Sequence, residues 1–131
     1  MLTVFCTYCS AEKDASDVLL PAIRRYRSDR IARIYSAALT AGCGFFILSG
    51  EFGLLDPNAP IPYYDHLLLA NEVETQAFRV AEQIRQHGIT QLLFFTLPVA
   101  KDEKLAPYHA ALRLACQIAH IPLSLVKIDF A

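Results

Sequence analysis

The chain has 131 residues, a formal net charge of -1, and a hydrophobic share of 54% against 19% charged residues. This length and composition predict one compact domain over residues 1–131 and exclude intrinsic disorder. The 12 Lys and Arg residues are dispersed, which argues against a dedicated duplex-DNA binder. No apolar run reaches the ~18 residues of a membrane span, and the first residues do not resemble a signal peptide. We therefore expect a cytoplasmic protein without a membrane partner, whose 4 cysteines are reduced thiols.

The first half of the chain predicts two buried strands with a helix between them. Residues 2–7 and 44–48 are continuous apolar runs, as in strands that are covered on both faces. Residues 29–41 have apolar side chains at helical spacing, and the pattern predicts that Arg30 and Arg33 face away from the core.

The second half repeats this alternation. A helix is expected to begin near Asn71, which can cap it, and to end at His87. Strands are expected at residues 91–97 and 123–128, and the helix between them should begin near Ala106.

Strands that alternate with helices predict an α/β fold. The expected architecture is a single three-layer α/β/α domain with a four-stranded, mainly parallel sheet in the order 2-1-3-4, a Rossmann-like arrangement. Ligands of such folds bind beyond the carboxyl ends of the strands, near the point where the strand order reverses. Polar loops follow the first three strands and should meet at that edge; they are residues 7–17, 49–65 and 98–104.

The loop of residues 49–65 is far longer than the usual connection of about two to six residues. Its apolar and aromatic content predicts an ordered loop that packs over one end of the sheet. Ser49, Gly50 and Gly53 directly follow a strand, where glycines allow a backbone nest for an anion or simply a tight turn. Both interpretations stay open on the sequence.

The end of this loop combines a ring, a carboxylate and an imidazole. Tyr64 could stack on a base, Asp65 could act as a general acid or base, and His66 could move a proton. The alternative is a loop anchor in which these side chains only hold the backbone.

The cysteines do not indicate a metal. Cys6 and Cys9 form a Cys-x-x-Cys, and a redox role as in thioredoxin-like sites would require the second half of this motif to open a helix. The second pair that a zinc site requires is missing, so Cys6 is expected in the core and Cys9 as a thiol that lines the site. Lys13, in the same loop, can reach an anion. We expect neither a metal nor a cofactor.

Residues 47–68 resemble the motif of YaaA-type peroxide-stress proteins, in which a strand ends in Leu-Ser-Gly and is followed by Tyr-Gly-Leu-Leu, Pro and Ile-x-Pro-Tyr. The matching positions are Leu48-Ser49-Gly50, Phe52-Gly53-Leu54-Leu55, Pro57, Ile61 and Tyr64. Proteins of that type are about twice as long and are linked to DNA binding and protection from peroxide.

The chain is still more similar to a family of small bacterial domains of unknown function, which has Cys-Ser-x-x-Lys after its first strand. The matching positions are Cys9-Ser10 with Lys13, Pro21-Ala22, Tyr26 with Ser28, and Tyr63-Tyr64-Asp65. The chain departs from these patterns at Tyr63, where Pro is usual, at Arg25, where Leu is usual, and at Phe52, where Tyr is common.

The leading functional hypothesis is a site for a small anionic, nucleotide- or nucleobase-like ligand, with chemistry at an N-glycosidic bond if the protein is an enzyme. The alternatives are a nucleic-acid-binding oxidative-stress protein of the YaaA type and a non-catalytic interaction module. Asp65 is the candidate catalytic residue. The candidate ligand-binding residues are Cys9, Ser10, Lys13, Tyr26, Ser28, Ser49, Gly50, Gly53, Tyr64 and His66.

Overall fold

The computed structural model describes residues 2–131, which form a five-stranded sheet, a two-stranded sheet and the helices that cover them. The strands are β1 (Thr3–Tyr8), β2 (Leu20–Pro21), β3 (Gly44–Ser49), β4 (Gly53–Leu55), β5 (Pro60–Ile61), β6 (Gln91–Thr96) and β7 (Leu123–Lys127). The helices are α1 (Ala22–Arg25), α2 (Asp29–Ala41), α3 (Val73–His87) and α4 (Ala106–Ala119), and short 3-10 turns, Ala70–Glu72 and Glu103–Leu105, lead into α3 and α4.

The large sheet has the order β4-β3-β1-β6-β7. Its members β3, β1, β6 and β7 are parallel neighbours, whereas β4 pairs antiparallel with β3. The predicted α/β class is therefore confirmed, but the expected four-stranded sheet is corrected to a mixed sheet of five. The additional strand was missed because it lies inside the segment predicted as a loop, where Gly53, with a φ of 73°, turns the chain back along β3.

The two faces of the large sheet carry separate cores. Val4 and Cys6 of β1 pack with α3 and α4 on one face. Phe5, between them in sequence, packs with the core that contains Ile31 and Ile34 of α2 on the other face. Continuous apolar strands suit this arrangement, because both faces of the central strands are covered.

Helix α2 has the predicted bounds but not the predicted orientation of its arginines. The Ser28 hydroxyl caps it by accepting a hydrogen bond from the Ile31 N–H at 3.2 Å. Arg30 was expected to face away from the core, and this was wrong: its side chain is only 3% exposed. Because it lies four residues before Ile34, Arg30 continues the buried stripe at the end of the helix nearest the strand ends.

Helix α3 begins later than predicted. Asn71 does not cap it, since this residue lies exposed inside the preceding 3-10 turn. The Glu72 carboxylate instead accepts a hydrogen bond from the Leu69 N–H at 2.8 Å. The start of the helix is therefore held by a side chain that reaches back toward the preceding residues. Among residues 2–131, no helix is both long and apolar enough to cross a lipid bilayer.

The backbone hydrogen-bonding groups at the outer edge of β4 find their partners in a side chain of α3. The Leu54 N–H donates to the Gln83 side-chain oxygen at 2.7 Å, and the Gln83 amide nitrogen donates to the Phe52 carbonyl at 3.0 Å. Arg79, one turn earlier on α3, donates to the Glu51 carbonyl. Helix α3 thereby supplies the partners that a further strand would otherwise provide.

Candidate functional site

A cavity of about 500 Å³ opens at the carboxyl ends of β1 and β6. These two strands are neighbours on either side of the reversal in strand order, which is the position that ligands favour in open α/β sheets. All three predicted loops contribute to its wall. The predicted site residues that line it are Cys9, Ser10, Lys13, Ser28, Asp65 and His66.

The loop after β1 forms one wall because it pairs with the chain just before α2. The Arg27 N–H donates to the Glu12 carbonyl at 3.0 Å, and the Asp14 N–H donates to the Arg25 carbonyl at 2.7 Å. The Ser10 hydroxyl donates to the same Glu12 carbonyl at 2.7 Å. Residues 10–14 therefore form a short segment that is held against the chain before α2, and the Ser10 hydroxyl is engaged in a hydrogen bond within that segment.

Arg25 fixes residues 14–18 of this loop through hydrogen bonds to their backbone carbonyls. Its guanidinium is fully buried and donates to the carbonyls of Asp14, Ser16 and Val18 at 2.6–2.9 Å, and to that of Ile61 at 3.1 Å. Within residues 2–131, its Nε has no hydrogen-bond partner. A single side chain thus joins the loop after β1 to β5 of the long segment.

Arg30 lies at the floor of the cavity. Its guanidinium stacks on the Tyr8 ring with 3.6 Å between Cζ and the ring centroid. It donates to the Thr7 hydroxyl at 2.6 Å, to the Tyr8 carbonyl at 2.7 Å and to the Cys9 carbonyl at 3.2 Å. Among residues 2–131, no carboxylate lies within salt-bridge distance of it. Burial lowers the pKa of this guanidinium, but an arginine stays protonated in proteins, so the floor carries a buried positive charge that only neutral oxygens solvate.

The Cys9 thiol is half-buried in the cavity wall. Its Sγ lies 3.8 Å from the hydroxyl oxygen of Tyr108, and that hydroxyl also accepts a hydrogen bond from the Leu68 N–H at 3.1 Å. Burial raises the pKa of Tyr108, so its hydroxyl keeps its proton. Cys6, by contrast, is fully buried in the core, as expected, and burial raises the pKa of its thiol.

Tyr26, Ser49 and Tyr64 do not line the cavity but form a cluster of hydroxyl groups behind its wall. The Tyr64 hydroxyl contacts the Tyr26 hydroxyl and lies 2.8 Å from the Ser49 hydroxyl. Burial raises the pKa of both tyrosines. The Lys13 ammonium lies over the Tyr64 ring, 4.7 Å from its centroid, so the cluster fixes the position of a cation that does line the cavity.

Neither glycine of the Ser-Gly-x-x-Gly motif lines the cavity. A Cβ at Gly50 would lie 2.6 Å from the His66 carbonyl and 2.8 Å from the Tyr108 hydroxyl. A Cβ at Gly53 would collide with the Gln83 side chain. The geometry therefore supports the turn and close-packing interpretation of these glycines over the anion nest.

His66 is held by two carboxylates at the cavity rim. Its Nδ1 lies 3.3 Å from Glu51, and its Nε2 lies 2.9 Å from Glu72. These hydrogen bonds, that of Glu72 first, raise the pKa of His66 and lower that of Glu72. Both ring nitrogens are thus engaged, and His66 links the end of the long loop to the turn before α3. Asp65 beside it is exposed and lines the cavity.

Sequence reasoning missed two residues of this site, Arg30 and Tyr108. The spacing of Arg30 relative to Ile34 and Ala38 was a usable signal, because residues four apart share a helix face. Tyr108 belongs to a stripe that correctly predicted burial, but nothing in the sequence indicates that its hydroxyl reaches Cys9.

Comparisons of the chain with models of protein families, with curated proteins and with solved structures found no match. The resemblance to YaaA-type proteins and to the small bacterial domains therefore stays a prediction, and the function is argued from the geometry of the cavity.

Proposed function

We propose that the protein binds a small anionic ligand of nucleotide-like size in the cavity at the ends of β1 and β6. The observation that carries this proposal is Arg30, a buried guanidinium with no carboxylate partner among the described residues 2–131. A buried charge without a counter-ion is costly, and an anionic group of a ligand would offset that cost. Lys13 is a further cation in the cavity wall.

The charges around the cavity favour a small ligand over a nucleic acid. The wall has four basic side chains, Lys13, Arg27, Arg30 and Lys104, and four acidic ones, Glu12, Asp29, Asp65 and Asp102. A polyanion would meet as much repulsion as attraction there, whereas a ligand with one anionic group and several hydrogen-bond donors can match both signs. The alternative of a DNA-binding stress protein is accordingly the weaker one.

The shape of the cavity supports a ligand that also has an apolar or ring portion. Its volume of about 500 Å³ falls in the usual range for small-molecule sites. Leu67, Leu97 and Leu105 form apolar parts of the wall. Because Tyr64 does not line the cavity, these leucines take the place of the aromatic platform that the sequence suggested.

Asp65 is the residue that would carry catalysis if the protein is an enzyme. If the ligand is a nucleoside derivative, Asp65 is the exposed carboxylate that would act as acid or base at an N-glycosidic bond. The variant Asp65→Asn should then retain ligand binding and lose base release. Equal base release by Asp65→Asn and the wild type would remove this role and leave the binding proposal intact.

The binding proposal is tested by thermal shift with inorganic phosphate, nucleosides and nucleoside monophosphates. A ligand at one hundred times its Kd stabilises the native state by about 2.7 kcal/mol, or roughly 10 °C for a chain of this length. We expect monophosphates to raise the melting temperature and the matched nucleosides to have little effect.

The variants Arg30→Lys and Arg33→Lys form a matched pair on α2, since Arg33 is exposed and does not line the cavity. Only Arg30→Lys should weaken the shift, because lysine cannot reproduce the planar donor group. The absence of a shift with every anion would refute the proposal. Binding of DNA that falls steeply with salt would favour the alternative.

A further inference from the structure

We propose that Cys9 is a nucleophilic thiol and that the natural ligand of the cavity is an anionic electrophile. This inference rests on the proposed anion site and adds a reacting atom to it. It is carried by the cluster of Cys9, Tyr108 and Arg30, which places a thiol, a phenol hydroxyl and a buried cation together in the lining of the cavity.

The backbone of Cys9 is fixed on both sides. Its N–H donates to the Leu48 carbonyl at 2.9 Å, and its carbonyl accepts from the Arg30 guanidinium at 3.2 Å. A thiol on such a rigid strand end is held in one place relative to a bound ligand, which is the requirement for a positioned nucleophile.

In this structure the Cys9 thiol donates to the Tyr108 hydroxyl oxygen, and the direction reverses once the thiol loses its proton, because a thiolate sulfur can only accept. A phenol has one proton, and its oxygen already accepts the Leu68 N–H at 3.1 Å. The remaining contact of that hydroxyl is Cys9 Sγ at 3.8 Å, within the range of hydrogen bonds to sulfur. Such a bond stabilises a thiolate more than a thiol, because the acceptor then carries a full charge.

Arg30 adds a positive charge to the same residue, because its guanidinium donates to the Cys9 carbonyl at 3.2 Å. Its partners are the neutral oxygens of Thr7, Tyr8 and Cys9, so its charge is not neutralised before a ligand or a thiolate is present. Cysteines near a cationic side chain such as arginine or lysine are among those that react as thiolates in proteins.

The other cysteines are not placed for this chemistry. Cys6 and Cys116 are buried in the core. Cys43 is half-buried between α2 and β3, at the opposite end of the sheet from the cavity, and its thiol donates to the Ala41 carbonyl at 3.9 Å. It therefore serves as a reference thiol within the same molecule.

The step is a nucleophilic substitution. The thiolate sulfur donates an electron pair to an electrophilic carbon of the ligand, and the S–C bond forms. The bond from that carbon to its leaving group breaks, and the leaving group departs with that electron pair. The proton that the thiol gave up passes to solvent or to the leaving group.

The inference is tested with iodoacetate and iodoacetamide, which alkylate thiols with loss of iodide and differ in whether they carry a carboxylate. Rates at Cys9 and Cys43 are measured in the same sample by mass spectrometry of peptides. We expect the rate ratio of iodoacetate to iodoacetamide to be at least about tenfold higher at Cys9 than at Cys43, the equivalent of one charge-assisted hydrogen bond. Phosphate should protect Cys9 and leave Cys43 unaffected.

Variants separate the contributions. Arg30→Lys should lower the preference for iodoacetate at Cys9, and Arg33→Lys should not. Tyr108→Phe should slow both reagents at Cys9 by about 3- to 10-fold, the effect of one lost hydrogen bond. If Tyr108→Phe fails to fold, its Cys43 rate will rise as well, and the Arg30→Lys comparison then decides the question.

The outcomes distinguish this inference from the proposed function. A Cys9 that reacts no faster than Cys43 with either reagent overturns the nucleophile, while thermal shifts with anions would still support the binding site. A fast Cys9 with the same reagent preference as Cys43 overturns the anionic ligand, and with it the proposed function.

Discussion

Replacement of Arg25 by leucine should destabilise the protein and loosen the wall of the cavity. It removes the donor to four carbonyl groups, of which those of Asp14, Ser16 and Val18 lie in the loop after β1. Leucine is apolar but smaller than arginine, so the loss of stability reports the lost hydrogen bonds together with the lost packing.

The magnitude follows from two opposing effects. Four hydrogen bonds to a charged donor contribute about 1.5–3 kcal/mol each before compensation. Against this, the variant avoids the burial of an unpaired guanidinium, which costs several kcal/mol, and the loop carbonyls can regain water. We expect a net loss of about 2–4 kcal/mol in the free energy of unfolding, or roughly 7–15 °C in melting temperature.

The assay is thermal and urea unfolding of Arg25→Leu beside Arg24→Leu. Arg24 precedes Arg25 on the same short helix but is exposed, so its variant controls for the change in charge and helix propensity. Proteolysis of the loop after β1 should accelerate only in Arg25→Leu. Equal stability of the two variants would refute the reasoning and would mean that the desolvation of Arg25 cancels its hydrogen bonds.

Three further outcomes are expected. The pKa of His66 is raised in the folded state, so the stability that its protonated ring contributes is complete below about pH 6.5 and is lost as the pH rises through the folded pKa. The melting temperature of the wild type minus that of His66→Gln should therefore be larger at acidic than at alkaline pH. A difference that does not change with pH would contradict a charged His66 between Glu51 and Glu72. Gly53→Ala should lower the free energy of unfolding by about 2 kcal/mol or more, against about 1 kcal/mol for Gly88→Ala. Both positions have a positive φ, but of the two only Gly53 has a neighbour within reach of a Cβ. Equal losses in chemical denaturation would show that the Gln83 side chain moves aside at no cost. Gln83→Leu should lose about 1–3 kcal/mol from two unsatisfied backbone groups of the β4 edge, and an unchanged urea midpoint would show that water replaces the side chain.

The sequence predicted the parallel strands and α2 well because long apolar runs and helical spacing are local patterns. It missed β4 because a three-residue strand in a loop has no periodicity of its own, and only the turn at Gly53 brings it beside β3. The cap at Asn71 was a local prediction overridden by a longer-range contact, since Glu72 is already held by His66.

The sequence indicated where the candidate site lies better than it indicated which side chains contact one another there. Cys9, Lys13 and Asp65 do line one cavity, because strand order alone brings their loops to the same edge. The position of Tyr64 behind the wall could not be foreseen, since it depends on a hydroxyl cluster assembled from three separate segments. Arg30 was missed because a charged residue was assumed to prefer solvent, whereas the carboxyl end of β1 and the residue after it supply three neutral oxygens as hydrogen-bond partners for its buried guanidinium.

The Gln83 side chain, which completes the edge of β4, also has a consequence for local opening. Its two hydrogen bonds tie one turn of α3 to the register of β4, so neither element can shift without breaking both contacts. Short edge strands ordinarily fray, and their amide protons exchange quickly with solvent. Here the Leu54 amide should exchange in step with the amides of α3, because the helix and the strand open as one cooperative unit.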